Sequence, residues 1–291
     1  MAAQPSYDLR GRTCLVTGAT SGIGRETALG LARSGANVLI VARDRERGQA
    51  VRDEIATTAP AGNAEVLIAD LATQRDVREV ARHVQHTHER LDVLVHNAGA
   101  VHGTRRVTVD GIESTLAVNH LAPFLLTQLL TPLLQASPAA RIVTVSSYMH
   151  TRVRHVPWDD LQSEHSYHGA AAYNLTKLMN VMFTYELARR GAGTNITANA
   201  LHPGWPLKTN LGREQTGPGG IFDRASKLCG ASPTKGSRTS LYLAGSPEVT
   251  GVTGKYFARC RPSKSSALSH DSAAWQQLWA TSAELCDLHP T

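Results

Sequence analysis

Residues 17–24 have the sequence Thr17-Gly18-Ala19-Thr20-Ser21-Gly22-Ile23-Gly24, which follows the apolar run Cys14-Leu15-Val16. Apolar residues then recur at helical spacing as far as Arg33. A strand, a glycine-rich turn and a helix start in close succession are typical of the first turn of a dinucleotide-binding βαβ unit. Glycines let the backbone approach a pyrophosphate, and a helix N-terminus offers free N–H groups. The glycine spacing is G-x-x-x-G-x-G, and an ordinary glycine-rich turn is the alternative that the rest of the chain has to exclude.

Composition narrows the class of protein. The chain has 291 residues, a length that one doubly wound domain often fills. Residues 1–6 carry neither a basic nor an apolar run, and no run approaches about 18 apolar residues, so we expect no signal peptide and no membrane span. A cytoplasmic location is the default expectation. The four cysteines lack C-x-x-C pairing and the 13 histidines lack an H-E-x-x-H motif, so no metal site or disulfide framework is predicted.

The net charge of +6 raises the question of nucleic-acid binding. The basic residues are scattered, with local density only at residues 43–47 and 259–264, and neither an aromatic platform nor helix-turn-helix spacing accompanies them. An anionic small ligand explains the first cluster more economically. We therefore expect a small-molecule partner and no nucleic acid.

The second predicted strand indicates which dinucleotide is bound. Asn37–Ala42 is a continuous apolar run, typical of a buried parallel strand, and Arg43 follows it. In dinucleotide folds the residue at this place faces the adenosine ribose, and an acid there binds the 2′-hydroxyl of NAD. The guanidinium groups of Arg43 and of Arg25, which directly follows the last loop glycine, suit a 2′-phosphate instead. We expect NADP(H); in the alternative, Asp44 binds the ribose and Arg43 is a surface residue.

Strands and helices continue to alternate along the chain. Further strands are predicted at residues 65–69, 91–95, 141–145, 195–201 and 255–257. This alternation predicts an α/β fold: a single-domain Rossmann fold over residues 1–291, with a doubly wound parallel sheet of about seven strands and helices on both faces. Ligands of such sheets lie outside the carboxyl ends of the strands. The residues expected there are Gly18, Arg43, Asp70 and Asn97. Residues 205–233, rich in Gly and Pro, are predicted to form a substrate-binding lid.

Residues further along the chain carry the chemistry. Tyr173 and Lys177 are four positions apart in a predicted helix, so their side chains share one face. A neighbouring ammonium lowers the pKa of a tyrosine from about 10 toward the range of efficient proton transfer. Ser147 follows a strand and can hold a substrate oxygen, and Asn119 is a polar residue in an apolar helix. Alone, each has a plain alternative, such as a packed tyrosine beside a solvated lysine or a serine in a turn.

Together these motifs resemble the short-chain dehydrogenase/reductase family, in its order and at roughly its spacings, from about Gly11 to Leu288. The matching motifs are the glycine loop, Asn97-Ala98-Gly99, Asn119, Ser147, Tyr173-x-x-x-Lys177 and Pro203-Gly204. Within the family, the chain is most similar to the branch of retinol dehydrogenases and WW-domain oxidoreductases. The stretches carrying that similarity are Val118–Thr127, Leu161–Glu164, Leu201–Gly204 and, more weakly, Gly254–Phe257.

The resemblance implies a role for each matching residue. Tyr173 would be the general acid/base, while Lys177 would lower its pKa and hold the nicotinamide ribose. Ser147 would orient the substrate oxygen, the family pattern favouring it over Ser146, and Asn119 would support a proton-relay water. The residues implied for the cofactor are Gly18, Thr20, Ser21, Gly22, Ile23, Gly24, Arg25, Arg43, Asp70, Leu71, Asn97, Ala98, Gly99, Tyr173, Lys177, Pro203, Gly204 and Thr209. Of these, Asp70 and Leu71 would contact the adenine.

Three positions depart from the family pattern. His96 stands where the family has an asparagine, and Thr176 replaces the serine before the catalytic lysine. After Gly204 the family reaches a Thr or Ser within four residues, whereas here Thr209 is the fifth, as if one residue were inserted. The contact of Thr209 with the nicotinamide carboxamide is therefore open.

The resemblance implies an NADP(H)-dependent oxidoreductase that transfers hydride between nicotinamide and a hydrophobic alcohol, ketone or aldehyde. One alternative is reduction of a C=C bond within the same family. Another is a nucleotide-binding scaffold with little catalysis, which the complete set of Asn, Ser, Tyr and Lys disfavours. The helices holding Asn119 and Tyr173 commonly form a dimer interface in the family, so a homodimer or homotetramer is expected.

Overall fold

A computed structural model of the chain describes residues 7–204 and 232–288. The strands in these ranges are β1 (Thr13–Thr17), β2 (Asn37–Ala42), β3 (Asn63–Ile68), β4 (Val93–His96), β5 (Ala140–Val145), β6 (Ile196–His202), β7 (Lys255–Ala258) and β8 (Arg261–Pro262). The α-helices are α1 (Gly22–Arg33), α2 (Arg45–Thr58), α3 (Gln74–Thr87), α4 (Ser114–Leu116), α5 (Ala122–Ala136), α6 (Gly169–Arg190), α7 (Pro233–Gly245) and α8 (Ser272–Leu285). Most of the predicted lid, residues 205–233, lies outside the described ranges.

The strands form one sheet in the order β3-β2-β1-β4-β5-β6-β7-β8. Neighbouring strands are parallel except for the two-residue β8, which runs antiparallel to β7. The chain leaves β3 at one edge and returns to the far side of β1 as β4, so the direction of winding changes between β1 and β4. Ligands of such folds bind at this switch point, outside the carboxyl ends of the strands.

Side-chain alternation along the strands builds a core on each face of the sheet. Leu15 and Leu39 belong to one buried cluster, together with residues of α3, α5, α6 and α8. Their chain neighbours Val16 and Ile40 belong to a second cluster, with residues of α1, α2 and α7. Successive residues of a strand point to opposite faces, and here both faces are covered by helices. The predicted doubly wound Rossmann fold is confirmed, with an eighth short strand added.

Some helix boundaries differ from the prediction. The sequence pattern around Tyr173 predicts a helix that opens at that residue. The helix begins four residues earlier, at Gly169, because residues 170–172 are alanines that give no periodic signal. The pattern around Asn119 predicts a helix from about Gly111 to Gln135. That helix begins at Ser114, where the Glu113 carboxylate accepts two backbone N–H bonds, and it passes through a π-helical turn before α5. π-Turns inside helices frequently lie at functional sites.

The C-terminal helix α8 packs on α5 and α6. The ring centre of Trp279 lies 5.1 Å from that of Phe124 and 6.0 Å from that of Phe183, and the Arg190 guanidinium lies over its ring at 4.3 Å. His120 Nε2 and Ser282 Oγ are 2.8 Å apart at the same contact. The chain's own α8 therefore covers part of the surface of the helices on which a dimer interface is expected. The oligomeric state stays a prediction.

One helical stretch of the described residues, Ser114–Ala136, is long and apolar enough to cross a membrane by length and composition. In the structure 67% of its most apolar window is buried inside the protein, and core helices pass the same test. The expected absence of a membrane span stays a prediction.

Candidate active site

The glycine loop between β1 and α1 is folded tightly onto the loop that follows β4. Gly18 has φ +66°, and a Cβ at this position would lie 2.8 Å from the Ala98 Cα. At Gly24 a Cβ would lie 2.3 Å from both the Asn97 Nδ2 and the Gly18 carbonyl oxygen. Larger residues have no room at either position, so two of the three glycines are required by the packing of the two loops.

Hydrogen bonds join the same two loops. The Asn97 Nδ2 donates to the carbonyl oxygens of Thr17 and Gly18 at 3.0 and 3.1 Å. The Thr17 hydroxyl oxygen accepts the backbone N–H groups of Asn97 and Ala98, each at 3.0 Å. Asn97 thus fixes the glycine loop, and Gly99 follows it in the same loop.

The start of α1 is shaped to receive an anion. Gly22 has φ +56°, and a Cβ there would meet nothing within 4 Å, so the space beside it is open. The N-cap residue Ser21 makes no side-chain capping bond, and the first turn holds no acidic residue. Its N–H groups and the positive end of the helix dipole are therefore available to a phosphate. These features fit the pyrophosphate of a dinucleotide. Thr20 and Ile23, in the same loop, are partly buried, and their contact with the cofactor stays a prediction.

The arginines expected at the adenosine ribose differ in their surroundings. Arg25 forms ion pairs with Glu26, at 2.7 Å, and with Glu54, so its charge is already compensated. Arg43 is exposed at the end of β2 and has no carboxylate partner among the described residues. Asp44, the alternative ribose ligand, caps α2 by accepting the Arg47 N–H at 3.1 Å. Of the two arginines, Arg43 alone has a guanidinium without an ion pair to any residue in the ranges 7–204 and 232–288.

The expected adenine contacts lie at the end of β3. Asp70 is partly buried, and its carboxylate accepts the Ala72 N–H at 3.0 Å, which holds the turn into α3. Leu71 packs on the edge of one core cluster. Both residues border the carboxyl edge of the sheet, and their contact with adenine stays a prediction.

Tyr173 and Lys177 lie one turn apart on α6 and face the end of β5. The Lys177 Nζ lies 5.6 Å from the centre of the Tyr173 ring and donates to the Val145 carbonyl oxygen at 2.9 Å. Burial lowers the pKa of Lys177 to about 8, so its ammonium form still predominates at pH 7. The Ser147 side chain lies near enough to Tyr173 to lower the pKa of its phenol in part. Three of the four residues predicted to be catalytic are therefore brought together.

The electrostatics of Tyr173 correct one sequence-based prediction. Burial raises the pKa of Tyr173, and the neighbouring Ser147 side chain offsets only part of that shift. The lowered pKa expected for Tyr173 is not found in this structure, because desolvation of the phenolate outweighs the effects that lower the pKa. The Lys177 ammonium here donates to the Val145 carbonyl oxygen. Tyr173 therefore remains a protonated phenol at neutral pH.

The two serines after β5 have different partners. Ser146 is buried, and its hydroxyl donates to the Lys177 carbonyl oxygen at 2.7 Å. Ser147 caps the 3-10 helix Tyr148–Arg152 by accepting the Met149 N–H at 3.2 Å. The same hydroxyl also faces Tyr173. The geometry thus separates a structural serine from one that faces the site.

Asn119 lies in the π-helical turn and is completely buried. Its Oδ1 accepts the Ala100 N–H at 2.7 Å, and its Nδ2 donates to the Ala100 carbonyl oxygen at 2.9 Å and to the Thr176 hydroxyl at 3.0 Å. The side chain therefore connects the loop after β4 to α6, where the Thr176 hydroxyl accepts its hydrogen bond. A role for Asn119 with a proton-relay water stays a prediction.

Sequence reasoning missed a group of rings around Ser147. The ring centre of Tyr256, on β7, lies 5.0 Å from that of His150 and 5.8 Å from that of His202. The ring centre of Tyr148 lies 6.0 Å from that of His202. These residues come from three separate segments, and no spacing along the chain could reveal their contact.

The last expected cofactor residues follow β6. Gly204 has φ +106°, and its N–H donates to the His202 Nδ1 at 3.2 Å, which turns the chain sharply after Pro203. Thr209 lies outside the described residues, so the predicted carboxamide contact and the effect of the extra residue are untested. Within residues 7–204 and 232–288, no cluster of three or more His, Cys, Asp or Glu could hold a metal ion.

Comparisons with known proteins identify the family to which this fold belongs. A family model described as short chain dehydrogenase matches residues 12–217. Retinol dehydrogenase 14 of Mus musculus is 41% identical over 284 residues, which cover 93% of this chain and 84% of that protein. The crystal structure of an uncharacterized protein from Mycobacterium Paratuberculosis matches with a TM-score of 0.78 and 34% identity, covering 98% of this chain and 96% of that one. A short chain dehydrogenase from Burkholderia cenocepacia J2315, in complex with NADP, matches with a TM-score of 0.68 and 28% identity, covering 86% and 96%.

Proposed function

This chain belongs to the short-chain dehydrogenase/reductase family, in its retinol-dehydrogenase-like branch, and from that premise we propose that it is an NADP(H)-dependent oxidoreductase acting on hydrophobic alcohols, ketones or aldehydes. The observation that carries the proposal is the grouping of Tyr173 and Lys177, one turn apart on α6, at the end of β5 that Ser147 follows. This group lies at the same edge of the sheet as a glycine loop with an open, anion-binding helix start.

The chain's own residues act on the substrate oxygen. When bound, the cofactor supplies the hydride that adds to the carbonyl carbon. Tyr173, kept protonated by burial, donates its phenolic proton to the carbonyl oxygen during reduction. Ser147 donates a hydrogen bond to the same oxygen and orients it. The ammonium of Lys177 stabilises the negative charge left on the Tyr173 oxygen.

The choice of NADP(H) over NAD(H) rests on the end of β2. An exposed Arg43 without a carboxylate partner among the described residues offers a bidentate site for a 2′-phosphate. The carboxylate that could bind a ribose 2′-hydroxyl, Asp44, is engaged as the cap of α2. Arg25 would have to leave Glu26 and Glu54 to take part. We assign the 2′-phosphate contact mainly to Arg43.

A substrate panel with both cofactors tests the proposal. It should contain aliphatic and aromatic aldehydes, ketones, an enone and, because of the relative named retinol dehydrogenase, retinal with its alcohol. We expect loss of NADPH absorbance with apolar carbonyl compounds, formation of the alcohol, and slower turnover with NADH. Saturation of the enone C=C bond would favour the alternative chemistry. NADPH binding without turnover on any compound would contradict the proposal and favour a nucleotide-binding scaffold.

A further inference from the structure

A buried histidine lies three residues beyond Ser147. His150 has no exposed surface, and its Nδ1 lies 2.7 Å from the Ser147 carbonyl oxygen. Its Nε2 accepts the backbone N–H of Ser266 at 3.1 Å. Because a backbone N–H can only donate, Nε2 carries no proton, and the ring proton must be on Nδ1. One neutral tautomer therefore satisfies both ring nitrogens, with Nδ1–H donating to Ser147.

The surroundings keep His150 in this form. The Tyr256 ring packs beside it with ring centres 5.0 Å apart, and Tyr256 itself is buried on β7. Burial lowers the pKa of His150, so the ring stays neutral at physiological pH. The imidazole is thus a rigid connector with one donor and one acceptor.

The bond to His150 fixes the backbone at Ser147. The Ser147 carbonyl oxygen accepts the His150 main-chain N–H at 3.2 Å in addition to the imidazole Nδ1–H. On the other side of the residue, the hydroxyl accepts the Met149 N–H. Two anchors therefore set the direction in which the Ser147 hydroxyl points. A displacement of about 1 Å in a positioning group can lower a rate about 100-fold.

The other end of His150 holds the segment before α8. Ser266 directly precedes the 3-10 helix Ala267–His270, and the hydroxyl of its neighbour Ser265 lies 2.7 Å from the Tyr185 hydroxyl. This segment is therefore tied to the core at two adjacent residues. The contact through His150 also reaches Ser147, whereas the contact between Tyr185 and Ser265 does not. A substitution of Tyr185 therefore serves as a matched control.

We propose that His150 is a positioning residue for the reaction: its Nδ1–H holds the Ser147 carbonyl and thereby aims the Ser147 hydroxyl at the substrate oxygen. The inference rests on the proposed function, since it adds a residue to the same site. His150 touches neither the reacting atoms nor the cofactor loop, so its loss is expected to affect the chemical step and not cofactor binding.

Four variants test this with the full chain, NADPH and the best carbonyl substrate of the panel. We expect His150→Ala to lower kcat by about 10- to 100-fold with an unchanged KM for NADPH. His150→Asn keeps an N–H at the place of Nδ1 but lacks the distal acceptor, and should recover most of kcat. His150→Gln reaches toward Ser266 instead and should not. Tyr185→Phe loosens the same C-terminal segment without touching Ser147, and should retain kcat.

Several results would contradict the proposed role of His150. An unchanged kcat in a folded His150→Ala would overturn the proposal, as would a Tyr185→Phe variant as slow as His150→Ala. If His150→Ala does not fold, the Asn and Gln variants decide, and equal kcat values for these two would refute the role of the Nδ1–H donor. A wild-type chain that turns over no carbonyl compound contradicts the proposed function itself, which removes the ground of this inference as well.

Discussion

The carboxyl edge of the sheet has a cofactor half and a catalytic half, which differ in whether main chain or side chains form the site. The cofactor half, around the glycine loop after β1, uses main chain: close backbone contacts at Gly18 and Gly24, and open space at Gly22. The catalytic half, around the end of β5, uses side chains, among them the half-buried Tyr173 and the buried Lys177. The packing of the cofactor half therefore depends on glycines that lack a Cβ, whereas the geometry of the catalytic half depends on the partners of its side chains.

The difference predicts how each half responds to substitution. Backbone packed against backbone has no means of relaxing, so an added methyl group in the cofactor half disturbs the whole loop. A side chain removed from the catalytic half leaves its neighbours in place, so the loss is confined to the function of that group. The following predictions test this contrast.

The largest effect is expected at Gly24. In Gly24→Ala the new methyl group would lie 2.3 Å from the Asn97 Nδ2 and the Gly18 carbonyl oxygen, so we expect loss of NADPH binding and a large drop in melting temperature. Gly193→Ala, outside the cofactor loop, is the matched control, since its methyl group meets nothing within 4 Å and costs about 1–2 kcal/mol for the positive φ. Thermal melts and NADPH titrations of both variants check this. Gly24→Ala with wild-type binding would break the account of the loop.

The next effect concerns the two serines. Removing the Ser147 hydroxyl deletes the hydrogen bond to the substrate oxygen, and we expect Ser147→Ala to lower kcat by about 100- to 1,000-fold. The lost cap on the Met149 N–H should cost about 1 kcal/mol of unfolding free energy as well. Ser146→Ala removes only the bond to the Lys177 carbonyl, and should retain kcat while losing about 1 kcal/mol of unfolding free energy. Steady-state kinetics and urea unfolding of the pair measure both quantities. If Ser146→Ala lowered kcat and Ser147→Ala did not, the assignment of Ser147 as the serine that orients the substrate would be wrong.

A buried neutral histidine lies beneath each half. Burial lowers the pKa of His96, below the cofactor half, to about 3 and that of His120, beside Asn119, to about 4. The unfolded chain takes up these protons near pH 6.5, so the stability is fully present above that pH and is lost as the pH falls toward 4. At pH 5 each histidine costs about 2 kcal/mol. Urea unfolding at pH 7 and pH 5 should show the loss, and His120→Gln should reduce it; equal pH dependence in the variant would contradict the assignment.

The smallest effect is expected at the cofactor's ribose. Arg43→Ala should raise the KM for NADPH about tenfold and leave the KM for NADH unchanged, because only NADPH carries the 2′-phosphate. Arg52→Ala removes the same charge from α2 at a site paired with Asp53, and serves as the control for net charge. Steady-state kinetics with both cofactors measure the ratio of the KM for NADPH to the KM for NADH. An equal rise for NADPH and NADH would show that Arg43 does not distinguish them.

The same contrast explains what the sequence could predict. The cofactor half follows from local spacing: a strand, three glycines and a helix start define the loop, and the alternation of elements places Asn97 beside it. The partners of Arg25 were not foreseen, because Glu54 lies 29 residues away and is paired only by the packing of α2 on α1. Helix α2 itself was not predicted, since its buried face consists of just Gly48, Val51 and Ile55 among charged residues.

In the catalytic half, motif residues were predicted but their partners were not. The spacing of Tyr173 and Lys177 identifies their shared helix face, yet burial, which raises the pKa of Tyr173, depends on the folded surroundings. The tie from His150 to Ser266 spans 116 residues and leaves no periodic signal. Side-chain pairs across such distances are set by tertiary packing alone.

The central claim is that Tyr173 passes the proton in an NADPH-dependent reduction, and Tyr173→Phe tests it most directly. The variant keeps the ring and loses only the hydroxyl, so NADPH should bind as in the wild-type chain while kcat falls by about 100- to 10,000-fold. Tyr185→Phe, a buried tyrosine on the same helix, should keep full activity. If Tyr173→Phe reduces the carbonyl substrate at the wild-type rate, the proton comes from elsewhere and the account is wrong.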